Sequence, residues 1–145
     1  MSDRAGWSAE GRPLLAGAAE GPLLVLDQPL SMWGGLDPLS GRVIDVHHPQ
    51  HGEVLAGRML ALPAGRGSSS SSSVLAEALR LGNGPRALLL AAPDGILLVG
   101  SLVAEMLYEI SCPVLLLTAS DYRRLGSGMH ARVDLRHRLH VRPLT

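Results

Sequence analysis

The chain has 145 residues, 46% of them apolar, with a mean hydropathy of +0.20, which is enough buried material for one domain and too much for a disordered chain. The formal net charge is zero, which argues against a nucleic-acid-binding domain, and all 13 basic residues are arginine. With no lysine, a Schiff-base lysine and a phosphate-binding P-loop lysine are excluded. Cys112 is the only cysteine, so there is no disulfide framework, a reducing cytoplasm is the expected compartment, and the chain alone cannot hold an iron–sulfur cluster that needs about four thiolates.

Taken in order, residues 1–12 read as a disordered tail ahead of one domain over 13–145, and they lack the apolar core of a signal peptide. "PLLAG" and "GPLLVLD" are short apolar runs that predict a first β-hairpin. The next segment, "QPLSMWGGLDPLSGRVIDVHHPQHGEVLAG", is rich in Gly, Pro, Asp and His, and only "RVID" in it suggests a strand. "LDPLSG" is a turn signal, with Pro38 fixing φ and Gly41 free to take positive φ. Long segments of this kind are usually functional or disordered, and Trp33 with Gly34 and Gly35 favours order.

"RMLALP" predicts a strand, and "VLAEALR" a helix over about 69–81 with Val74, Leu75, Ala78 and Leu79 on one face. "RALLLAA" is a buried strand and "PDG" a turn. "ILLVGSLVAEMLYEI" contains a second helix from about Gly100, and "CPVLLLT" is another buried strand, apolar throughout because both its faces are covered. "HARVDLRHRLHVR" alternates with period two, as a half-buried hairpin does. No run reaches the roughly 18 uninterrupted apolar residues of a membrane span, so no membrane partner is expected. The sum is a single mixed α/β domain.

Six consecutive serines, Ser68 to Ser73, stand between a strand and a helix. A linker would need two domains, for which this length leaves no room. Serine caps helices well, because its hydroxyl satisfies orphan N–H groups. "GRGS" also brings close-approach glycines to a helix N-terminus, a place that favours anions. A capped helix and an anion site therefore both stand. A dinucleotide site is disfavoured, since Ser70 replaces the third glycine and no acidic residue ends the next strand. "DVHHPQHGE" holds three histidines and two carboxylates, but Pro49 prevents a helix that would aim His48 and His51 together, so a polar loop facing water or a partner is expected there, with no metal bound by this chain. Cys112, beside Pro113, is expected to be a small buried hydrophobe.

Four stretches, "LDQPLSMWGGLDPLSGRVID", "HPQHGEVLAGRMLALPAGRGSSSSSSVL", "GPRALLLAAPDGILLVGSLVAEMLY" and "CPVLLL", together resemble the small subunit, or swivelling domain, of aconitase X-type hydro-lyases. The resemblance implies a swivelling β/β/α domain docked on a large aconitase-like subunit in a heterodimer. That subunit would hold an iron–sulfur cluster or iron, and the active site would lie between the two. The substrate would be a small hydroxy acid, either cis-3-hydroxy-L-proline or mevalonate 5-phosphate. Arginine without lysine suggests a GC-rich genome, which leans bacterial and hence toward the hydroxyproline. Carried onto this chain, the family's base falls on Ser68, the serine after "GRG", with Arg66, Gly67 and Ser69 binding substrate. Trp33, Gly34, Gly35, Asp45 and His48 would line the interface or the mouth of the site. Relatives usually mix Thr or Gly into the serine run, so the separate roles of Ser69 to Ser73 stay open. A non-catalytic anion-binding module is the alternative of another class.

Overall fold

The computed structural model describes residues 6–63 and 68–143. Ten strands and four helical segments follow in the order β1 (Trp7–Glu10), β2 (Arg12–Leu15), β3 (Ala19–Val25), α1 (Met32–Gly35), β4 (Leu36–Asp37), β5 (Arg42–Val43), β6 (Met59–Leu62), α2 (Ser71–Arg80), β7 (Ala87–Leu90), α3 (Gly95–Tyr108), β8 (Val114–Leu116), α4 (Ala119–Arg123), β9 (His130–Val133) and β10 (Arg138–Arg142). Eight strands form one sheet in the order β1-β10-β9-β3-β6-β7-β8-β2, and β4 pairs with β5 alone. Strands β3, β6, β7 and β8 are parallel, the rest antiparallel.

Period-two alternation sorts the core into two clusters. Leu60, Leu62, Leu88 and Leu90 meet Leu75, Ala78 and Leu79 of α2 and Leu97 and Ala104 of α3. Their neighbours Met59, Ala61, Ala87 and Leu89 meet Ala131, Val133, Leu139 and Val141 of the β9–β10 hairpin. The central strands are therefore buried on both faces, which is why they read as unbroken apolar runs. Helices on one face and a curled antiparallel layer on the other give the expected β/β/α arrangement. No helix among the described residues is long and apolar enough to cross a membrane.

Three expectations are corrected. The tail expected over 1–12 is strand from Trp7 onward: Trp7 pairs with Val141, and the Arg124 guanidinium lies 4.1 Å from its ring centroid. The first hairpin does not form. The run 7–15 turns at Gly11, β1 pairing at one edge of the sheet and β2 with β8 at the other, so it closes the sheet into a near-barrel. A Cβ at position 11 would collide with the Leu115 side chain, which fixes glycine at that corner. The second helix begins at Gly95 rather than Gly100, because Asp94 Oδ1 accepts from the N–H groups of Ile96 and Leu97, both at 3.0 Å.

Candidate active site at the carboxyl edge of the parallel strands

Parallel strands end on a common edge, and in open α/β sheets that edge is where ligands bind. Asp27 follows β3 there, the serine tract follows β6, Asp94 follows β7 and Thr118 follows β8. Ser68 is exposed, and its Oγ accepts a hydrogen bond from the Ser70 N–H at 3.0 Å, while its carbonyl accepts from the Ser71 N–H at 3.0 Å. Helix α2 then begins at Ser71, two residues later than expected, and its first turn is tightened by further i to i+3 bonds from Ser72 and Ser73. The hydroxyl of Ser68, rather than that of the N-cap Ser70, thus satisfies an orphan donor of the helix start.

The other serines have separate duties that no residue-type pattern reveals. Ser71 is buried, and its Oγ accepts the Trp33 N–H at 3.2 Å, tying the tryptophan turn to the first residue of α2. Ser72 Oγ donates to the Ile96 carbonyl at 2.8 Å and so links α2 to the start of α3. Lower down, α2 and α3 touch at Gly100, where an added Cβ would lie 2.9 Å from the Ser72 carbonyl oxygen.

The glycine-rich segment is ordered against this edge. Within α1 the backbone breaks at Trp33 (ψ 117°) and Gly34 (φ 79°), so the segment is a kinked turn that presents Trp33 outward, 60% exposed. A positive φ at position 34 favours glycine. The Gly35 carbonyl accepts the Ile44 N–H at 2.8 Å, which sets the exposed Ile44 beside the turn that carries Trp33. Asp45 Oδ1 accepts the His47 N–H at 2.9 Å and its carbonyl the His48 N–H at 3.1 Å, so its role is to shape the loop.

His48 is buried, 6% exposed. Its Nδ1 accepts the Gln50 N–H at 3.0 Å, which leaves Nε2–H to donate to the Gln28 carbonyl at 3.0 Å. Gln50 in turn bonds Asp27 twice, Oε1 accepting its N–H at 3.0 Å and Nε2 donating to Oδ2 at 2.8 Å. The histidine that the sequence offered for the mouth therefore acts as a clamp between its loop and the end of β3. Gln50 and Asp27 were missed because their pairing spans 23 residues.

Arg66 and Gly67 lie outside the described residues; Ser69 is exposed beside Ser68. Among the described residues no three of His, Cys, Asp and Glu converge to hold a metal ion. Cys112 is fully buried, and burial pushes its thiol up to about 12, so it stays protonated and is a poor metal ligand. These donors do not fit a metal cluster.

The profile of the Aconitase X swivel domain matches residues 8–141. This chain belongs to that family. A Pseudomonas aeruginosa protein named cis-3-hydroxy-L-proline dehydratase is 52% identical over 81% of the chain, which spans only 21% of that relative's length. A Pyrococcus furiosus protein named phosphomevalonate dehydratase small subunit is 37% identical over 86% of the chain and 87% of its own length. The crystal structure of Thermococcus kodakaraensis aconitase X in its holo-form superposes with a TM-score of 0.82 at 28% identity, over 94% of this chain and 98% of that one. The family and the swivel-domain fold expected from the sequence both hold.

Proposed function

We propose that this chain is the swivel component of a hydro-lyase that removes water from cis-3-hydroxy-L-proline, working in the cytoplasm with a large aconitase-like chain. The observation that carries the reading is the Ser68 hydroxyl, exposed at the carboxyl edge and held by the Ser70 N–H. A serine is a feeble base because its alkoxide is costly in water. A backbone N–H already aimed at Oγ becomes a charge-assisted donor when the proton leaves, roughly twice as strong as a neutral one. The N-terminal end of the ten-residue α2 adds a favourable dipole, and exclusion of water on docking strengthens both.

In this reading Ser68, ionised as the alkoxide, takes the proton from the carbon beside the substrate carboxylate and gives it up again to the departing hydroxide. The electron pair left behind forms the double bond as hydroxide departs from the neighbouring carbon, and proton and hydroxide together make the water released. Ser69, with Arg66 and Gly67, holds the carboxylate, and Trp33, Gly34, Gly35 and Asp45 meet the partner around the mouth, on a loop that His48 clamps in place. The iron–sulfur cluster or iron belongs to the partner chain.

The higher identity to the Pseudomonas relative supports the hydroxyproline substrate. The match to the Pyrococcus small subunit over 87% of its length favours mevalonate 5-phosphate as a second reading. Both hydroxy acids should be assayed with the chain reconstituted with its large partner. Water loss from cis-3-hydroxy-L-proline is expected. Turnover of mevalonate 5-phosphate alone would change the substrate, and turnover of neither would leave an anion-binding module.

A further inference from the structure

Helix α3 buries Leu97, Gly100, Ser101 and Ala104 against α2 and the sheet. Its opposite face carries Val99, Leu102 and Met106 at helical spacing, flanked by Leu107, all exposed, Met106 at 71% and Leu107 at 68%. Glu105 is the only charged residue in its 14 positions. The neighbouring helix α2, in the same layer, turns Ser73 and the ion-paired Glu77 and Arg80 toward solvent, with Arg80 Nε 2.7 Å from Glu77 Oε1. Two helices with equal access to water thus have opposite surfaces. A helix apolar all round is a covered helix, and contiguous exposed apolar side chains mark a docking site.

We propose that this outer face of α3 is a second docking surface for the large partner chain, separate from the tryptophan mouth; the proposal rests on the partnership proposed above. Two observations name the occupant. The domain is 21% of the Pseudomonas relative, so about four-fifths of that protein is further chain available to cover it. The start of α3 is also tied to the mouth: Ser71 holds the Trp33 N–H, and the next residue, Ser72, holds the Ile96 carbonyl one turn before Val99. The serine tract and the start of α3 follow the neighbouring parallel strands β6 and β7 onto the same carboxyl edge, so a body seated on that edge meets the first turn of α3. The absence of charge on the face requires an apolar counterpart rather than an acidic or basic one.

The test pairs the full chain with the purified large dehydratase chain from the same organism. A Val99→Glu, Met106→Glu double variant alters only exposed positions, and an unchanged circular dichroism melt confirms its fold. Association with the large chain should weaken tenfold or more. Undiminished association in that variant, with Trp33→Ala still weakening it, would overturn the α3 surface while leaving the partnership intact. A chain that sediments alone as a dimer, and as a monomer once the two glutamates are present, would overturn it in favour of a second copy. If the unaltered chain does not bind the large chain at all, both the surface and the reading beneath it fail.

Discussion

Replacing Ser68 by alanine removes one hydroxyl and leaves the backbone able to keep its path. Two effects follow, and their sizes separate them. Structurally, Ser70 loses the acceptor 3.0 Å from its N–H, a bond at an exposed turn that water can replace. The cost is about 0.5–1 kcal/mol, the lower part of the range for a hydrogen bond. Against a domain stability of roughly 5–15 kcal/mol this leaves essentially every molecule folded. Chemically, losing the base of a proton abstraction should lower kcat at least about 10²-fold, or about 2.7 kcal/mol of barrier, with a smaller effect on KM. Instability of 1 kcal/mol cannot mimic that loss. The assay is kcat and KM for the reconstituted pair, with a thermal melt of each variant. Ser72→Ala is the control: its hydroxyl donates to the Ile96 carbonyl at 2.8 Å in a half-buried setting, so it should cost about 1 kcal/mol and leave turnover intact. Near-normal kcat in Ser68→Ala would refute the reasoning and reduce the hydroxyl to a helix cap.

Trp33→Ala should change stability by no more than about 0.5 kcal/mol, since the ring is 60% exposed, yet weaken association with the large chain by about 2 kcal/mol, roughly 30-fold by titration calorimetry. Gly100→Val should lower stability by about 1–3 kcal/mol in a denaturant melt, because its Cβ would press on the Ser72 carbonyl oxygen at 2.9 Å and push α2 from α3; an unchanged midpoint would contradict that close crossing. Asp134 is held down to about 2, chiefly by the hydrogen bond from His140 and then by the Arg138 and Arg136 N–H groups. A depressed carboxylate stabilises the fold above its unfolded value near 3.8, and that contribution is lost as pH falls toward 2. Asp134→Asn should therefore flatten the acid limb of stability between about pH 4 and 2, and an unaltered limb would place its cause elsewhere.

What the sequence made legible follows the range of the forces involved. Strands β6, β7 and β8 stand out because burial on both faces removes every polar residue from them, and the two crossover helices because their periodicity is local. Gly11 carries no such signal. It is an ordinary glycine until Leu115, more than a hundred residues away, is brought against it, and so the closing corner of the sheet has the local pattern of a tail and a hairpin. Asp94 was legible in principle, since "PDG" before an apolar run is a helix start as well as a turn, and the choice of turn cost five residues of α3.

The site divides in the same way. Ser68 is marked by the family resemblance and not by its own chemistry, because nothing in a run of six serines says which hydroxyl points outward and which are spent on packing. The structure separates them by partners: Ser71 holds the tryptophan turn, Ser72 holds α3, and among the described residues the Ser68 hydroxyl holds an N–H of its own turn. That difference is what makes a homogeneous tract able to serve both ends. Ser72 donates to the Ile96 carbonyl and could not give up its proton without loosening that link, and Ser71 is buried beneath the tryptophan turn. Ser68 accepts rather than donates in its one described bond, so deprotonation would strengthen the contact that positions it. His48 reverses the case: its residue type advertised chemistry, but both ring nitrogens are committed to Gln28 and Gln50. Replacing His48 by alanine would strand the Gln28 carbonyl and the Gln50 N–H, and the loop that carries Asp45 would lose its hold on β3.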